Sequence, residues 1–305
     1  MDLYRDATRV PFLLEDGRVP VSYDGWRATG ISKRATYWAA GRGRIQRPQH
    51  GLYLPGAEPP TVLEKVRSAL AVAPPEAVVG FHTAALLYGF GVVEEDRVHL
   101  MVPAGNAFPQ RRGIASHQVT LPIGDPVTIF GVPCAPASRV AVDLARLTPR
   151  AEALPIVDAA LFAGACSVEQ LRDEVRLHDG LRGVRQAREI VGIADGRAEC
   201  RQESELRLLF HDLGIEGFQP QLTVFDYRMD LGNPELRIGV EYDGASHLDR
   251  SRLRADRWRH NRLSDRGWAM RYATAHDLYR APAPFVTSLL RLIARRRSRA
   301  KSRDW

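Results

Sequence analysis

The sequence predicts a multi-domain α+β chain of the α/β class, and three observations carry that expectation. Several short runs alternate apolar and polar residues at period two, as half-buried strands do, while others repeat apolar residues at helical spacing. Breaks rich in Gly and Pro punctuate these runs. With 305 residues, 45% of them apolar, the chain is long enough for two or three domains, each with its own core.

Composition narrows the class further. No apolar run approaches the ~18 residues of a membrane span, and Met1-Asp2-Leu3-Tyr4-Arg5 lacks the apolar core of a signal peptide. The expected location is therefore cytoplasmic, with no membrane partner. Cys134, Cys166 and Cys200 share no metal-ligand spacing and read as reduced packing residues. There is no Gly-rich phosphate loop with a Lys and no nucleophile elbow, which argues against ATP-driven and serine-hydrolase chemistry. A net charge of +7 favours an anionic partner.

In the first sixty residues, Val21 to Thr29 and Ser32 to Gly41 read as two short helices separated by Gly30-Ile31. Ser32 is a suitable N-cap for the second, which carries Lys33, Arg34, Tyr37 and Trp38. Arg42 to Arg47 and Gly51 to Leu54 then make a tight basic hairpin. This is the order of a winged helix-turn-helix, with a recognition helix for the major groove and a wing beside it. Lys33, Arg34 and Arg44 are the candidate DNA contacts. An ordinary helix–hairpin packing module has the same order.

Residues 61–195 are richer in Ala, Leu and Val. Val62 to Ala71 suggests a helix, Pro74-Pro75 a break, Val98 to Pro103 a strand, Gly131-Val132-Pro133 a turn-bounded segment, and Ser138 to Arg146 a helix. His82, His99 and His117 fall on separate elements and read as core histidines with satisfied partners rather than metal ligands. Together with the hairpin before it, this stretch resembles the AbiEi-type antitoxins of type IV toxin–antitoxin systems. The residues that match are Gly51-x-Tyr53, His82-x-Ala84-Ala85-x-x-x-Gly89, Val98-His99, Gly131-x-Pro133 and Val142-Asp143-Leu144-Ala145. The resemblance covers roughly residues 20–195. It implies a winged-helix DNA binder that represses its own operon, with a cognate toxin as partner.

Gly192 to Arg197 marks the next boundary. Beyond it, Gln202 to Leu213 is a candidate helix with Leu206, Leu208, Leu209 and Leu213 inward and Gly214 as its stop. Arg228-Met229-Asp230 and Val240-Glu241-Tyr242-Asp243-Gly244 then read as two strands joined by Gly232-Asn233-Pro234. In the second strand Leu236, Ile238, Val240 and Tyr242 alternate with Arg237, Gly239, Glu241 and Asp243. Glu241 and Asp243 thus share a face, about 7 Å apart, and in-register pairing brings Asp230 beside them. Carboxylates about 5 Å apart repel by roughly 3 kcal/mol at an effective dielectric of 20, so such a trio holds a divalent cation or takes up a proton. Oxygen-only ligands suit Mg²⁺ or Mn²⁺. A solvated acidic edge strand is the other reading.

A basic helix is expected from Asp249 to Arg266, carrying Arg250, Arg252, Arg254, Arg257, Arg259, Arg262 and Arg266 and stopping at Gly267. A strand from Trp268 to Ala273 follows, with Met270 and Tyr272 on one face and Arg271 on the other. Carboxylates for a metal and guanidinium groups for phosphates are what phosphodiester chemistry requires. The sequence ends on a basic tail, residues 295–305, read as a solvated end or a phosphate-binding arm.

These residues resemble the PD-(D/E)XK nuclease superfamily, and more closely its very-short-patch-repair-like branch catalogued as domain of unknown function 559. The matching blocks are Glu203-Ser204-x-Leu206-Arg207, Arg228-x-Asp230, Glu241-x-Asp243-Gly244-x-x-His247, Asp256-x-x-Arg259 and Gly267-Trp268-x-x-Arg271, over roughly residues 200–280. The resemblance implies a restriction-endonuclease-like core with metal carboxylates at Asp230 and Glu241 and supporting roles for Glu203 and Asp243. The usual Lys position is Asp243 here.

The expected layout is a winged helix-turn-helix over 1–60, an antitoxin-like middle domain over 61–195, a nuclease-like domain over 196–294 and a basic tail over 295–305. The expected function is Mg²⁺- or Mn²⁺-dependent DNA cleavage in phage defence or DNA repair. Asp230, Glu241 and the Tyr242 carbonyl would hold the metal, Asp243 or His247 would accept a proton, and Glu203 would orient an outer water or a second metal. Arg259 would meet the phosphate, and Arg250, Arg254, Arg257, Arg262 and Arg271 the DNA backbone. The alternative is a non-enzymatic repressor or antitoxin that uses the nuclease fold to dock DNA or a partner.

Overall fold

The computed structural model describes residues 17–301, apart from 29, 94, 107, 109 and 245–260. It divides the chain into two units, Met1–Ala194 and Asp195–Trp305. Helices and a mixed sheet occur in both, and the first unit has an antiparallel sheet besides, as the predicted class requires.

The first unit opens with a correction. Val21–Ser22 form a short strand, β1, rather than the start of a helix, because Val21 and Ser22 pair with Tyr53 and Leu52. Helix α1 then runs over Tyr23–Ala28. Helix α2, Lys33–Gly41, begins where expected: the Ser32 side chain accepts from the Ala35 N–H and caps it. Strands β2 (Ile45–Gln49) and β3 (Leu52–Pro55) form the hairpin, and the three strands lie in the order β1-β3-β2. Pro48 cannot donate to a ladder, and the β2–β3 register shifts between Gln46 and Gln49. Helix α3, Val62–Leu70, carries a capping box: the Thr61 hydroxyl accepts from the Glu64 N–H, and the Glu64 carboxylate accepts from the Thr61 N–H.

The same unit continues into a five-stranded sheet of β4 (Val78–Val79), β5 (Val98–Pro103), β6 (Ile114–Val119), β7 (Val127–Ile129) and β8 (Val132–Cys134). Their order is β6-β5-β4-β8-β7, with β5–β6 and β4–β8 parallel. Helix α4 spans Phe81–Leu87, α5 Ala137–Leu147, α6 Arg150–Phe162, α7 Val168–Leu177 and α8 Val184–Ile193. Asp143, inside α5 and 1% exposed, accepts from Arg139 Nε at 2.6 Å and Arg146 NH2 at 2.7 Å, with His178 Nε2 at 3.3 Å. Burial pushes its carboxyl up, but the His178 hydrogen bond and the charge and hydrogen bond of Arg139 outweigh that and hold it at about 2.

In the second unit, α9 (Arg201–Asp212) precedes β9 (Gln219–Val224), β10 (Tyr227–Asn233), β11 (Ile238–Asp243) and β12 (Ala269–Thr274). The sheet order is β12-β11-β10-β9, with β11–β12 parallel. Residues 261–265 are helical. Helices α10 (Ala275–Tyr279) and α11 (Pro282–Lys301) close the chain. One sheet face packs Leu231, Ile238, Val240 and Ala273 against Leu206 and Phe210 of α9 and Phe285, Leu289 and Ile293 of α11. The spacing of those last three by four residues is the helical period. The other face carries Met229, Met270 and Leu263. A Cβ at Gly239 would lie within 2.4 to 2.5 Å of the Met270 and Met229 sulfurs, so only a bare backbone lets these methionines close over the strand.

Two boundaries differ from expectation. Gly232 and Asn233 belong to the β10–β11 ladder, paired with Gly239 and Ile238. The turn falls on the residues between, where the Leu236 N–H donates to the Asn233 side-chain Oδ1 at 2.9 Å, a local side-chain-to-backbone bond that shifts the reversal downstream. The expected tail at 295–305 is not a separate element up to residue 301, because Arg295 to Lys301 continue α11.

Candidate functional site

The β10–β11 ladder ends at Leu231–Val240. Continued by one position, that antiparallel register would set Asp230 opposite Glu241, but the ladder stops before them. Strict alternation also breaks there: Met229 joins the methionine face while Leu231 joins the helix-side core. In place of a main-chain partner, the Tyr242 N–H donates to Asp230 Oδ2 at 2.8 Å. A residue in an extended strand points its N–H and C=O to the same side, so the Tyr242 carbonyl is directed towards Asp230 as well. The side chain of β10 thus replaces the strand it leaves.

Glu241 accepts a short hydrogen bond from the Tyr227 hydroxyl. Burial and then this bond push the Tyr227 hydroxyl well above the usual phenol range. The parallel register pairs Glu241 with the exposed Tyr272 and Asp243 with Thr274. Asp243 is exposed at the end of the strand.

Glu203 enters from the first turn of α9. It is 7% exposed and accepts from Glu199 N at 2.9 Å, Cys200 Sγ at 3.3 Å and Gln221 Nε2 at 2.7 Å. Burial and the negative charge of Asp230 nevertheless push its carboxyl up to about 7. Gln221 holds this bond from a left-handed backbone, φ +53°, a conformation that few residues other than Gly adopt. Arg228 pairs with Glu199 at 2.6 Å.

Four acids of the sequence expectation therefore belong to one end of the central β10–β11 pair and the helix beside it. They are not a tight cage: among the described residues, no three of Glu203, Asp230, Glu241 and Asp243 bring ligand oxygens within 4.8 Å of one another. Arg271 pairs with Val240 in the register, on the face away from Glu241, and its NH1 donates to the Met270 carbonyl at 2.9 Å. Arg262 forks onto both carboxylate oxygens of Asp226 at 3.1 Å each. His247, Arg250, Arg254, Arg257 and Arg259 lie outside the described residues. Tyr227 and Gln221 were not legible in the sequence; a tyrosine three residues before a candidate ligand in the same strand is the only local signal.

A basic surface lies on the first unit. Lys33 and Arg34 are exposed on α2, with Lys33 Nζ 5.8 Å above the Tyr23 ring. The guanidinium groups of Arg42 and Arg44 stand 5.2 and 4.8 Å from the Trp38 ring, and that of Arg47 5.7 Å from Tyr37. Trp38 and Tyr37 are 49% and 43% exposed. Aromatic faces so placed hold cations in fixed positions at the surface, interleaved as single strands and phosphate backbones require.

Residues 77–193 match the family model of the AbiEi antitoxin C-terminal domain. Two relatives, each described as an uncharacterized protein of Mycobacterium tuberculosis (strains CDC 1551 / Oshkosh and ATCC 25618 / H37Rv), are 29% identical over 262 residues. That alignment covers 84% of this chain and 94% of each relative. It is longer than the first unit alone, so the likeness extends into the second. No helix among the described residues is long and apolar enough to cross a membrane.

Proposed function

We propose that this chain is a DNA-binding protein of the toxin–antitoxin type whose second unit is a metal-dependent DNA endonuclease with a PD-(D/E)XK-like core. The observation that carries the reading is the Tyr242 N–H on Asp230 Oδ2 where the β10–β11 ladder stops, which brings Asp230 to the residue next to Glu241. The donor set, two carboxylates and a carbonyl, is all oxygen and fits Mg²⁺ or Mn²⁺, with water filling the remaining positions. Such an ion supplies positive charge to the scissile phosphate and lowers the pKa of a bound water.

The chain's own residues would divide the rest. Tyr227 would orient Glu241 through its hydroxyl. Glu203, poised near 7, would exchange a proton with water at neutral pH. Asp243 occupies the usual Lys position and would take the proton of the attacking water, a role shared with His247. Lys33, Arg34 and Arg44, set on what reads as a winged helix-turn-helix, would hold the duplex. The antitoxin-type match favours a cognate toxin as protein partner, and a cytoplasmic site of action in phage defence or DNA repair.

The test is incubation of purified protein with supercoiled plasmid, with Mg²⁺, with Mn²⁺ and with chelator. Metal-dependent nicking that Asp230→Ala and Glu241→Ala abolish is the expected result. Absence of cleavage on duplex, mismatched and single-stranded DNA alike would remove the nuclease reading. One observation favours a second reading: with Asp243 at the Lys position and Arg262 engaged by Asp226, the fold would serve a repressor as a docking surface for DNA or toxin.

A further inference from the structure

The three histidines read as separate core residues come together. Strands β5 and β6 are parallel, and their register pairs Met101 with His117 and His99 with Ala115. His99 and His117 therefore share a face, with His117 Nε2 3.0 Å from His99 Nδ1. His82, in the first turn of α4, stands edge-on to His99 at a ring separation of 5.4 Å. Phe81 stacks on His117 at 3.9 Å and does so from φ +49°, a left-handed conformation that is strained for a bulky residue and gathers at functional sites.

The gap beside His99 is the telling feature. Glu95 Oε1 accepts from Arg97 Nε at 3.1 Å, and its other oxygen, Oε2, stands 3.8 Å from His99 Nε2. That nitrogen is buried and has no hydrogen-bond partner among the described residues. A separation of 3.8 Å is too long for a hydrogen bond. Two ligands each about 2.0–2.1 Å from a Zn²⁺ ion are roughly 3.3 Å apart at the tetrahedral angle and about 4.1 Å apart when opposed, so the gap is one an ion spans.

We propose that His99 Nε2 and Glu95 Oε2 are the fixed ligands of a divalent transition-metal site of the zinc type, with His82 as third ligand and water completing it. The ligand atoms of His82, His99 and Glu95 do not all lie within 4.8 Å of one another, so His82 joins by turning about its side-chain bonds. His117 has the partner's role: with an ion on Nε2, the His99 ring carries its proton on Nδ1 and donates it to His117 Nε2, as metal-bound histidines donate their second nitrogen. Burial keeps the His82, His99 and His117 rings below the usual imidazole range, His99 at about 4, and so neutral as ligands must be. The site lies in the first unit and does not depend on the nuclease reading.

The experiment is titration of the full chain with Zn²⁺ against a chromophoric chelator, paralleled by Co²⁺ absorption. One equivalent that wild type binds and the Asp230→Ala/Glu241→Ala double variant retains is expected, with Co²⁺ d–d bands and no thiolate charge-transfer band. His99→Gln and Glu95→Gln should lose that equivalent, and His117→Ala should weaken it by about 10–100-fold. Glu95 is partly exposed, so its variant decides should His99→Gln fail to fold. The proposal is overturned if wild type binds neither ion, or if folded Glu95→Gln binds as wild type does.

Discussion

Replacing Glu203 by Gln should change how folding stability depends on pH, and the size of the effect follows from the burial of this carboxyl. Its folded value is about 7 against 4.5 for an unperturbed group, so the folded state binds the proton more tightly than the unfolded chain. Stability is then highest below about pH 4.5 and is lost as pH rises towards 7. Integrating the two titrations, the ionised form costs the wild type about 0.8 kcal/mol at pH 5 and about 3.3 kcal/mol at pH 8, a swing of about 2.5 kcal/mol. Gln cannot ionise, and the acceptor it removes from Glu199 N, Cys200 and Gln221 is a constant that cancels between the two pH values. Urea unfolding of both proteins in chelator, at pH 5 and pH 8, measures it: Glu203→Gln should gain on wild type by about that swing. Saturating Mg²⁺ should shrink the swing if it neutralises Asp230, the second cause of the shift. A difference between the proteins that is flat with pH, or grows towards acid, would refute the assignment.

Other outcomes follow from the same geometry. Asp230→Ala and Glu241→Ala should each lower the plasmid-nicking rate by more than about a hundredfold, at about 1.4 kcal/mol per tenfold, with DNA affinity by anisotropy unchanged or higher. Trp38→Ala, by releasing Arg42 and Arg44, should weaken DNA binding by about 0.5–1 kcal/mol per lost contact; Lys33→Ala with Arg34→Ala should flatten the log–log salt slope by about two units, and an unchanged slope would place the DNA elsewhere. Asp143→Asn should cost about 3–5 kcal/mol in urea unfolding, because Arg139 is left buried without its counter-charge. In wild type that contribution is present above about pH 4 and should fade as pH falls towards 2.

The strands of the second unit were legible because period-two alternation is a local signal. Ile238 and Val240 go to the helix-side core and Glu241 to the other side, as the pattern requires. Ser32 was legible as a cap for the same reason, since its partner Ala35 is three residues away. Val21–Ser22 were not, because their strand exists only through pairing with residues some thirty positions on. The histidine group is the extreme case: His82, His99 and His117 share no motif, and only the β5–β6 register and the start of α4 bring them together. Local chemistry predicts elements; pairing between distant elements makes sites.

The register of β11 has a further meaning for how this protein can change over time. Slipping the strand by one residue against β10 or β12 would carry Glu241 and Asp243 into the layer now filled by Ile238 and Val240, among Leu206, Phe210 and Leu289. Two carboxylates in that layer would cost more than a domain of this size can spare. Insertions and substitutions in the loops can therefore accumulate without displacing the acids, whose positions are inherited from the greasy side of the same strand. The acids themselves have no such protection, since each points away from the core that fixes it. Chemistry at this end of the central strands can be lost by a single exchange while its scaffold persists, so descendants with the fold intact and the acids gone are the expected products of relaxed selection.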